Sequence, residues 1–131
     1  MTYILAIDDD EYWRNRMQSE LRSLGHELLV AKDPRAAIEL FRDHEKAIVL
    51  VVSDNQMRIS DLTRRDAGID LLHEIRLSAS MDTNVPFILF TSEATAAQRQ
   101  RVCEHKGEIL VKDRSIEGEL RTRAKALLNL P

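Results

Sequence analysis

Three aspartates directly follow apolar runs that have the composition of β-strands. Asp8 and Asp9 come after the run at residues 3–7, and Asp54 comes after the most apolar run of the chain, residues 47–53. Carboxylates that lie close together raise one another's pKa unless a cation is present. Oxygen ligands beside an open position suit a hard divalent cation such as Mg²⁺, which also binds phosphate oxygens. The aspartates therefore predict a metal site, and one of the carboxylates could act as a nucleophile.

Two other apolar runs end in side chains that could hold the oxygens of a phosphoryl group. Residues 86–91 end in Thr91, and residues 108–112 end in Lys112. A hydroxyl can donate a hydrogen bond to a phosphate oxygen, and an ammonium group can donate a charge-assisted one. Taken alone, each of these side chains is more typical of a helix cap or a strand end. The joint pattern over four strands is what predicts phosphoryl chemistry.

The size and composition of the chain limit the class of protein. Its 131 residues suffice for a single domain, residues 1–131, with a hydrophobic core. The formal charge of −3 gives no indication of contact with nucleic acid or an anionic membrane. Its apolar runs are too short to cross a bilayer, and no signal-peptide pattern opens the chain. The single cysteine, Cys103, suits a reducing compartment, so we expect a cytoplasmic protein.

Short apolar runs alternate with longer segments of helical period along the whole chain. The pattern predicts five strands, at residues 3–7, 27–31, 47–53, 86–91 and 108–112. Such alternation is typical of a parallel sheet with helices on both faces. We therefore predict a doubly wound, flavodoxin-like α/β domain, for which 2-1-3-4-5 is a common strand order. Ligands of such sheets bind at the carboxyl ends of the strands, where the candidate site residues should meet.

Five helices are predicted from apolar spacing and from capping residues. The first ends near Gly25, and the second has Asp33 as its N-cap and Pro34 at its first position. The third and fourth are predicted within residues 68–80 and 93–107, and residues 54–67 form a polar loop before the third. The buried stripe of the last helix is predicted to contain Ile116, Leu120, Ala124, Leu127 and Leu128.

These segments resemble the receiver domain of two-component response regulators over essentially the whole chain. ILAIDDDEYWR resembles the first strand and acidic pair of that family, and VLVVSDNQM resembles its phosphoacceptor strand. VPFILFTSEA is similar to the strand with the switch hydroxyl, and ILVKD is similar to the lysine strand. The resemblance implies that Asp54 accepts a phosphoryl group from a sensor histidine kinase or a phosphotransfer protein, and also from small phosphodonors.

The resemblance also implies a role for the other site residues. Thr91 would move toward the new phosphoryl group and Lys112 would pair with it. Gln56 and Glu93 occupy the positions that tune how fast the protein hydrolyses its own aspartyl phosphate. The Mg²⁺ ligands that the resemblance implies are the carboxylates of Asp8, Asp9 and Asp54 and the backbone carbonyl of Gln56.

The output of such a domain is a surface that changes on phosphorylation. The resemblance places this surface on the fourth helix, the fifth strand of the sheet and the fifth helix. Its partner would be a downstream protein rather than nucleic acid or a membrane, and the pattern leaves a phosphorylation-driven homodimer open.

The chain departs from the family pattern in three places. Arg58 replaces a proline, and the glycine that follows in the family, here Gly68, arrives about six residues late, a loop insertion that such folds tolerate. The residue after the lysine is Asp113 rather than proline, and Ile109 stands where the family has an aromatic switch residue. The lengthened loop could contact a partner or simply face solvent, and its arginines are Arg58, Arg64 and Arg65.

Two other functions agree with part of the pattern. The first is a pseudo-receiver, a protein-binding module of the same fold that never carries phosphate. The second is a phosphatase of the haloacid-dehalogenase type, which would use Asp8 as nucleophile, because the acidic run contains a D-x-D motif. Against the phosphatase, Glu11 and Tyr12 replace the Gly-Thr pair that usually follows that motif.

Overall fold

A computed structural model of the chain describes residues 1–78 and 84–131. The strands in these ranges are β1 (Tyr3–Ile7), β2 (Glu27–Ala31), β3 (Ile48–Ser53), β4 (Met57–Ile59), β5 (Leu62–Arg64), β6 (Phe87–Thr91) and β7 (Glu108–Val111). The helices are α1 (Glu11–Leu21), α2 (Pro34–His44), α3 (Ala67–Ser78), α4 (Ala96–Glu104) and α5 (Glu119–Leu127), with 3₁₀ turns at Arg22–Leu24 and Glu45–Ala47. No helix in the described ranges is long and apolar enough to span a membrane.

One parallel sheet contains β2, β1, β3, β6 and β7, in that order. Since β6 and β7 are the fourth and fifth strands of this sheet, the predicted order 2-1-3-4-5 is confirmed. Ile7 at the end of β1 lies opposite Ala31 of β2 and Ser53 of β3, and Thr91 of β6 lies opposite Val111 of β7. The residues that follow these strands therefore begin at one edge of the sheet.

Two apolar clusters cover the two faces of the sheet. On one face, α2 and α3 pack against strand residues such as Leu5 and Val51. On the other face, α1 and α5 pack against the alternate residues, such as Ile4 and Leu50. All four of these side chains are fully buried, and burial of one aliphatic side chain contributes about 1.5–3 kcal/mol. The strands that end at the candidate site are thus firmly anchored.

Polar side chains begin the two helices next to β1 and β2. Asp33 accepts a hydrogen bond from the N–H of Ala36 at 2.8 Å, and Pro34 is the first residue of α2, as predicted. Asp10 accepts a bond from the N–H of Tyr12 at 3.3 Å and so caps α1. Both caps satisfy N–H groups that the helix itself leaves without a partner.

The end of the chain departs from the predicted helical stripe. Leu120 and Ala124 are buried as predicted, but the prediction for Ile116 is wrong, because α5 begins only at Glu119. Ile116 lies in the preceding connection and is 48% exposed. The third helix was predicted to extend to residue 80, and residues 79–80 lie outside the described residues.

The loop predicted for residues 54–67 contains a short hairpin. β4 and β5 pair in antiparallel fashion, with Arg58 opposite Thr63 and Ile59 opposite Leu62. Ser60 in the turn has a φ of +58°, in the left-handed region. β5 has only three residues, and all of them are exposed. Such a segment is too short for an alternation of apolar and polar residues to predict a strand.

Candidate functional site

The aspartates that follow β1 and β3 form an acidic cluster. Asp8 is fully buried, Asp54 is 7% exposed, and Asp9 is exposed. One carboxylate oxygen from each of the three lies within 4.8 Å of the others. The three aspartates that the sequence indicated therefore meet at the carboxyl edge of the sheet.

The ammonium group of Lys112 joins the two buried members of this cluster. Its Nζ lies 2.7 Å from Oδ2 of Asp8 and 3.2 Å from Oδ1 of Asp54, and its side chain is only 4% exposed. The amide of Lys112 donates to the carbonyl of Thr91 at 2.8 Å, which fixes the lysine at the end of β7. The Nζ atom also lies 5.0 Å from the centroid of the Trp13 ring, within the range of a cation–π contact.

Burial changes the acidity of both buried carboxyl groups. The pKa of Asp54 is raised from 3.8 to about 6, mainly because burial disfavours the charged form. The positive charge of Lys112 lowers the pKa of Asp54, and the negative charge of Asp8 raises it. Burial also raises the pKa of Asp8, against the lowering effect of Lys112. One ammonium group therefore does not offset the desolvation of two carboxylates, and the cluster favours further positive charge.

The backbone around Asp54 is held by three hydrogen bonds. Its amide donates to the carbonyl of Ile7 at 2.9 Å, and the hydroxyl of Ser53 donates to the carbonyl of Asp54 at 2.8 Å. The amide of Asn55 donates to Oδ1 of Asp54, also at 2.8 Å. The Asp54 backbone is therefore held by β1 and Ser53, and its carboxylate by the amide of Asn55 and the ammonium of Lys112.

The start of α3 packs tightly against the same segment. The amide of Gly68 donates to the carbonyl of Asn55 at 3.0 Å, and the side-chain oxygen of Asn55 accepts from the amide of Ile69 at 3.1 Å. A Cβ atom on Gly68 would lie 2.1 Å from the carbonyl oxygen of Asp54, so only glycine fits at this position. The lengthened loop therefore still places this glycine against the segment that follows β3.

A cleft of about 360 Å³ opens above the acidic cluster. The predicted site residues that line it are Asp9, Asp54, Gln56, Thr91, Glu93 and Lys112. Asp8 is fully buried and is not part of the lining. Three residues of the lengthened loop also line the cleft, namely Arg58, Thr63 and Arg65. The cleft is therefore lined both by the predicted site residues and by residues of the lengthened loop.

The hydroxyl of Thr91 lies beside the cleft but is engaged elsewhere. Thr91 is buried, and its Oγ1 donates to the carbonyl oxygen of Glu93 at 3.2 Å. That bond joins the last residue of β6 to the loop that follows it. The movement of this hydroxyl toward a phosphoryl group stays a prediction.

The hairpin is fastened to the acidic cluster by its backbone. The amide of Arg58 donates to Oδ2 of Asp9 at 2.8 Å. This contact was not predicted from the sequence, because a backbone N–H is present at almost every residue and gives no sequence signal. The contacts of Asn55 with the start of α3 were not predicted either. The acidic run at Asp8 and Asp9 is held in the same way, because the amide of Asp10 donates to Oδ1 of Asp8 at 2.9 Å.

The connection after Lys112 is built without the proline of the family pattern. Asp113 accepts hydrogen bonds from the amide of Ser115 at 2.9 Å and from its hydroxyl at 2.6 Å. The guanidinium of Arg16, on α1, donates to the carbonyls of Arg114 and Ile116 and pairs with Glu20 at 3.2 Å. Arg16 on α1 therefore holds this connection in place by hydrogen bonds to its backbone.

The donor set of the cleft fits a hard divalent cation. Three carboxylates lie close together at this cleft, no sulfur or imidazole group belongs to the described residues that line it, and it leaves room for the waters that Mg²⁺ keeps. Burial raises the pKa of Asp8 and of Asp54, so a cation held by these carboxylates would offset part of their unfavourable negative charge. Gln56 lines the same cleft, and the assignment of its backbone carbonyl as a ligand stays a prediction.

Comparison with protein families identifies the class of this domain. The response regulator receiver domain matches residues 4–125, and the chain therefore belongs to the response regulator receiver family. No curated protein matches the sequence significantly.

Solved structures of similar shape support the same fold. The chemotaxis protein CheY4 of Vibrio cholerae is 22% identical, with a TM-score of 0.76, over 100% of this chain and 99% of that one. The non-phosphorylated HemR receiver domain of Leptospira biflexa is 25% identical, with a TM-score of 0.78, over 100% and 97%. In the CheX–CheY–BeF3–Mg²⁺ complex of Borrelia burgdorferi, the similar chain is 19% identical, with a TM-score of 0.77, over 97% and 89%.

Proposed function

We propose that Asp54 accepts a phosphoryl group from a sensor histidine kinase or a phosphotransfer protein, in a reaction that depends on Mg²⁺. The observation that carries this proposal is the different placement of the two buried carboxylates. Asp54 lines the cleft, whereas Asp8 is fully buried below it. Only the first is open to a donor, and both share the ammonium group of Lys112.

In the proposed reaction an oxygen of the Asp54 carboxylate attacks the phosphorus atom of the donor. The bond between phosphorus and the donor nitrogen breaks, and the electron pair stays on the imidazole, which takes up a proton. Asp54 has to be ionised to act in this way, and a pKa of about 6 leaves it mostly ionised at neutral pH. Acyl phosphates would react by the same attack, with a carboxylate as the leaving group.

A bound Mg²⁺ ion would neutralise the charge on the transferring phosphoryl oxygens. The groups of this chain that would hold it are the carboxylates of Asp8, Asp9 and Asp54 and the backbone carbonyl of Gln56. The open cleft and the raised pKa values of the two buried aspartates support this assignment.

The new phosphoryl group would reorganise the residues around it. It adds charge and three strong acceptor oxygens, so Lys112 would pair with it and the hydroxyl of Thr91 would leave the carbonyl of Glu93 to donate to it. These movements would alter the ends of β6 and β7. They would thereby shift the conformational equilibrium of the surface formed by α4, β7 and α5. We propose that a downstream protein, or a second copy of this chain, binds that surface.

The way in which the change reaches this surface differs from the usual family pattern. Ile109 is an aliphatic residue on β7, packed against the core beside Leu89. An aromatic ring that swings inward as Thr91 moves is therefore not available at this position. The contacts of Arg16 with the connection between β7 and α5 are the alternative route that the chain offers.

The test is the intact mass of the purified protein after incubation with acetyl phosphate and Mg²⁺. One phosphoryl adduct that requires Mg²⁺ and is lost in Asp54→Asn supports the proposal. An adduct that survives Asp54→Asn but is lost in Asp8→Asn would favour the phosphatase mechanism instead. If the wild type gives no adduct and also does not bind beryllofluoride, the chain is a pseudo-receiver.

A further inference from the structure

The hairpin formed by β4 and β5, together with the residue that follows it, brings cationic side chains to the cleft. Arg58 and Arg65 line the same cavity of about 360 Å³ as Asp54, Thr91 and Lys112. Arg58 stands where the family pattern has a proline, and Arg65 lies in the lengthened loop, so the family pattern assigns no role to either arginine.

The hairpin is held in place from two sides. The side chain of Met57, the first residue of β4, is fully buried in the core cluster that lies under α2 and α3. The next amide, that of Arg58, donates to Oδ2 of Asp9. The second strand is paired with the first, with Thr63 opposite Arg58 and Arg64 opposite Met57. The backbone of the hairpin at Met57 and Arg58 is therefore fixed beside the acidic cluster.

The guanidinium groups of Arg58 and Arg65 are free to bind a ligand. Within residues 1–78 and 84–131, neither side chain takes part in an ion pair or a hydrogen bond. Arg101 on α4 provides a contrast, because it is committed to Asp66 and Asp70.

The other charged groups that line the cleft are mostly acidic. Among the described residues, the acidic groups of the lining are Asp9, Asp10, Asp54 and Glu93. Apart from Arg58 and Arg65, the basic group among the described lining residues is Lys112, whose ammonium is already shared by two carboxylates. A phosphoryl donor with two negative charges would be repelled by such a surface, even after one divalent cation has bound.

We infer that Arg58 and Arg65 form an anion-binding wall that holds the dianionic phosphoryl group of the incoming donor while Asp54 attacks it. Guanidinium groups suit this role, because their planar fork donates two parallel hydrogen bonds to phosphoryl oxygens. The inference rests on the proposed function, and it names the class of donor that the cleft favours. That class consists of donors whose phosphoryl group carries two negative charges, such as acyl phosphates.

The experiment compares two donors on three proteins, with Mg²⁺ present. The donors are acetyl phosphate, a dianion near neutral pH, and phosphoramidate, which carries less negative charge because its nitrogen is protonated. The proteins are the wild type, the double variant Arg58→Gln/Arg65→Gln, and the matched control Arg64→Gln. Arg64 is exposed on the same hairpin but does not line the cleft. Phosphorylation rates are followed by intact mass and by the fluorescence of Trp13, which lines the cleft.

We expect the double variant to react with acetyl phosphate about tenfold more slowly, the lower end of the range for electrostatic steering. Its rate with phosphoramidate should fall by less than about threefold. Added salt should reduce the difference in rate between the double variant and the wild type with acetyl phosphate. Arg64→Gln should react like the wild type with both donors. Replacement by lysine at both positions should restore part of the rate, because the charge is kept and the fork is lost.

Mg²⁺ binding without a donor, measured by titration of Trp13 fluorescence, separates this role from structural damage. Removal of two positive charges should leave Mg²⁺ affinity unchanged or increase it, while a distorted cleft would bind Mg²⁺ more weakly. The inference is overturned if the double variant reacts as fast as the wild type, or if Arg64→Gln slows the reaction with acetyl phosphate equally. It is also overturned if the rates with both donors and the Mg²⁺ affinity all fall to a similar extent. A wild type that takes no phosphoryl group on Asp54 would instead overturn the proposed function, and this inference with it.

Discussion

The ammonium nitrogen of Lys112 lies 2.7 Å from Oδ2 of Asp8, and both side chains are almost completely buried. The contact joins the carboxyl ends of β1 and β7, which are not neighbours in the sheet. Removal of one partner of a buried ion pair costs about 3–5 kcal/mol, because the remaining charge is left without compensation. Lys112 therefore stabilises the fold as well as the site.

From this contact we predict that Lys112→Met destabilises the protein by about 3 kcal/mol at pH 7.5 without Mg²⁺. The two carboxylates that Lys112 contacts would then repel each other without a nearby ammonium group. Added Mg²⁺ should restore more stability to this variant than to the wild type. Urea unfolding with and without Mg²⁺ measures both effects. Lys46→Met, which removes a charge from an exposed position, is the control and should change stability by less than about 1 kcal/mol.

A second prediction follows from the acidity of Asp54. A pKa that is raised from 3.8 to about 6 means that the folded state holds this proton more tightly than the unfolded state does. Ionisation of Asp54 then destabilises the fold, by about 3 kcal/mol when complete. This penalty is fully present above the folded pKa and disappears as the pH falls toward the ordinary value.

Asp54→Asn should therefore be more stable than the wild type at pH 7.5 without Mg²⁺, and the difference should shrink toward pH 4.5. Denaturant unfolding at a series of pH values measures this difference. Asp43→Asn, on the exposed side of α2, provides the control and should change stability by less than about 1 kcal/mol. An Asp54→Asn variant that is less stable than the wild type at pH 7.5 would contradict the prediction.

The position of the site could be predicted from the sequence because it depends on a few long-range rules. Apolar runs mark the strands, and parallel strands bring their carboxyl ends to one edge, so residues as distant as Asp8 and Lys112 could be placed together. What neutralises the acids was predicted only in part. A metal ion was expected to do so, but the ammonium of Lys112 already contacts Asp8 and Asp54.

The remainder of the site depends on contacts that have no sequence signal. The hairpin strands are three residues long, and β5 is wholly exposed, so no periodicity marks them. The bond from Arg58 to Asp9 involves a backbone amide, which is not specific to arginine. Ile116 fits a helical stripe by spacing, but the helix begins three residues later, since Asp113 and Ser115 form a turn first.

The contact of Gly68 with Asp54 leads to a third prediction. Gly68→Ala would place a Cβ atom 2.1 Å from the carbonyl oxygen of Asp54 and 2.9 Å from the Cα of Asn55, both parts of the backbone. The backbone must shift, so we expect a loss of about 3 kcal/mol in stability, at the upper end of the usual cost of overpacking. Mg²⁺ affinity should fall as well, because the shift displaces the carboxylate of Asp54.

Gly107→Ala is the matched control for this variant. Its Cβ would lie 2.9 Å from methyl carbons of Leu72 and Val102, which are the ends of side chains and can move more easily than backbone. We expect a smaller loss of stability and an unchanged Mg²⁺ affinity, both measured by thermal unfolding with and without Mg²⁺. Equal effects of the two substitutions would show that contact with the backbone of Asp54 is not what makes Gly68 necessary.

The contacts of Arg16 with the connection between β7 and α5 lead to a fourth prediction. Arg16 donates to the carbonyls of Arg114 and Ile116, and Glu20, which is buried, holds its guanidinium in place. In Arg16→Met these carbonyls lose their partner, so the connection should open more often. Hydrogen exchange of the amides at residues 114–118 should become at least about tenfold faster, which corresponds to about 1.4 kcal/mol of local stability. Arg22→Met, at an exposed arginine just after α1, should leave this exchange unchanged. If exchange accelerates over the whole sheet instead, Arg16 stabilises the global fold rather than this connection.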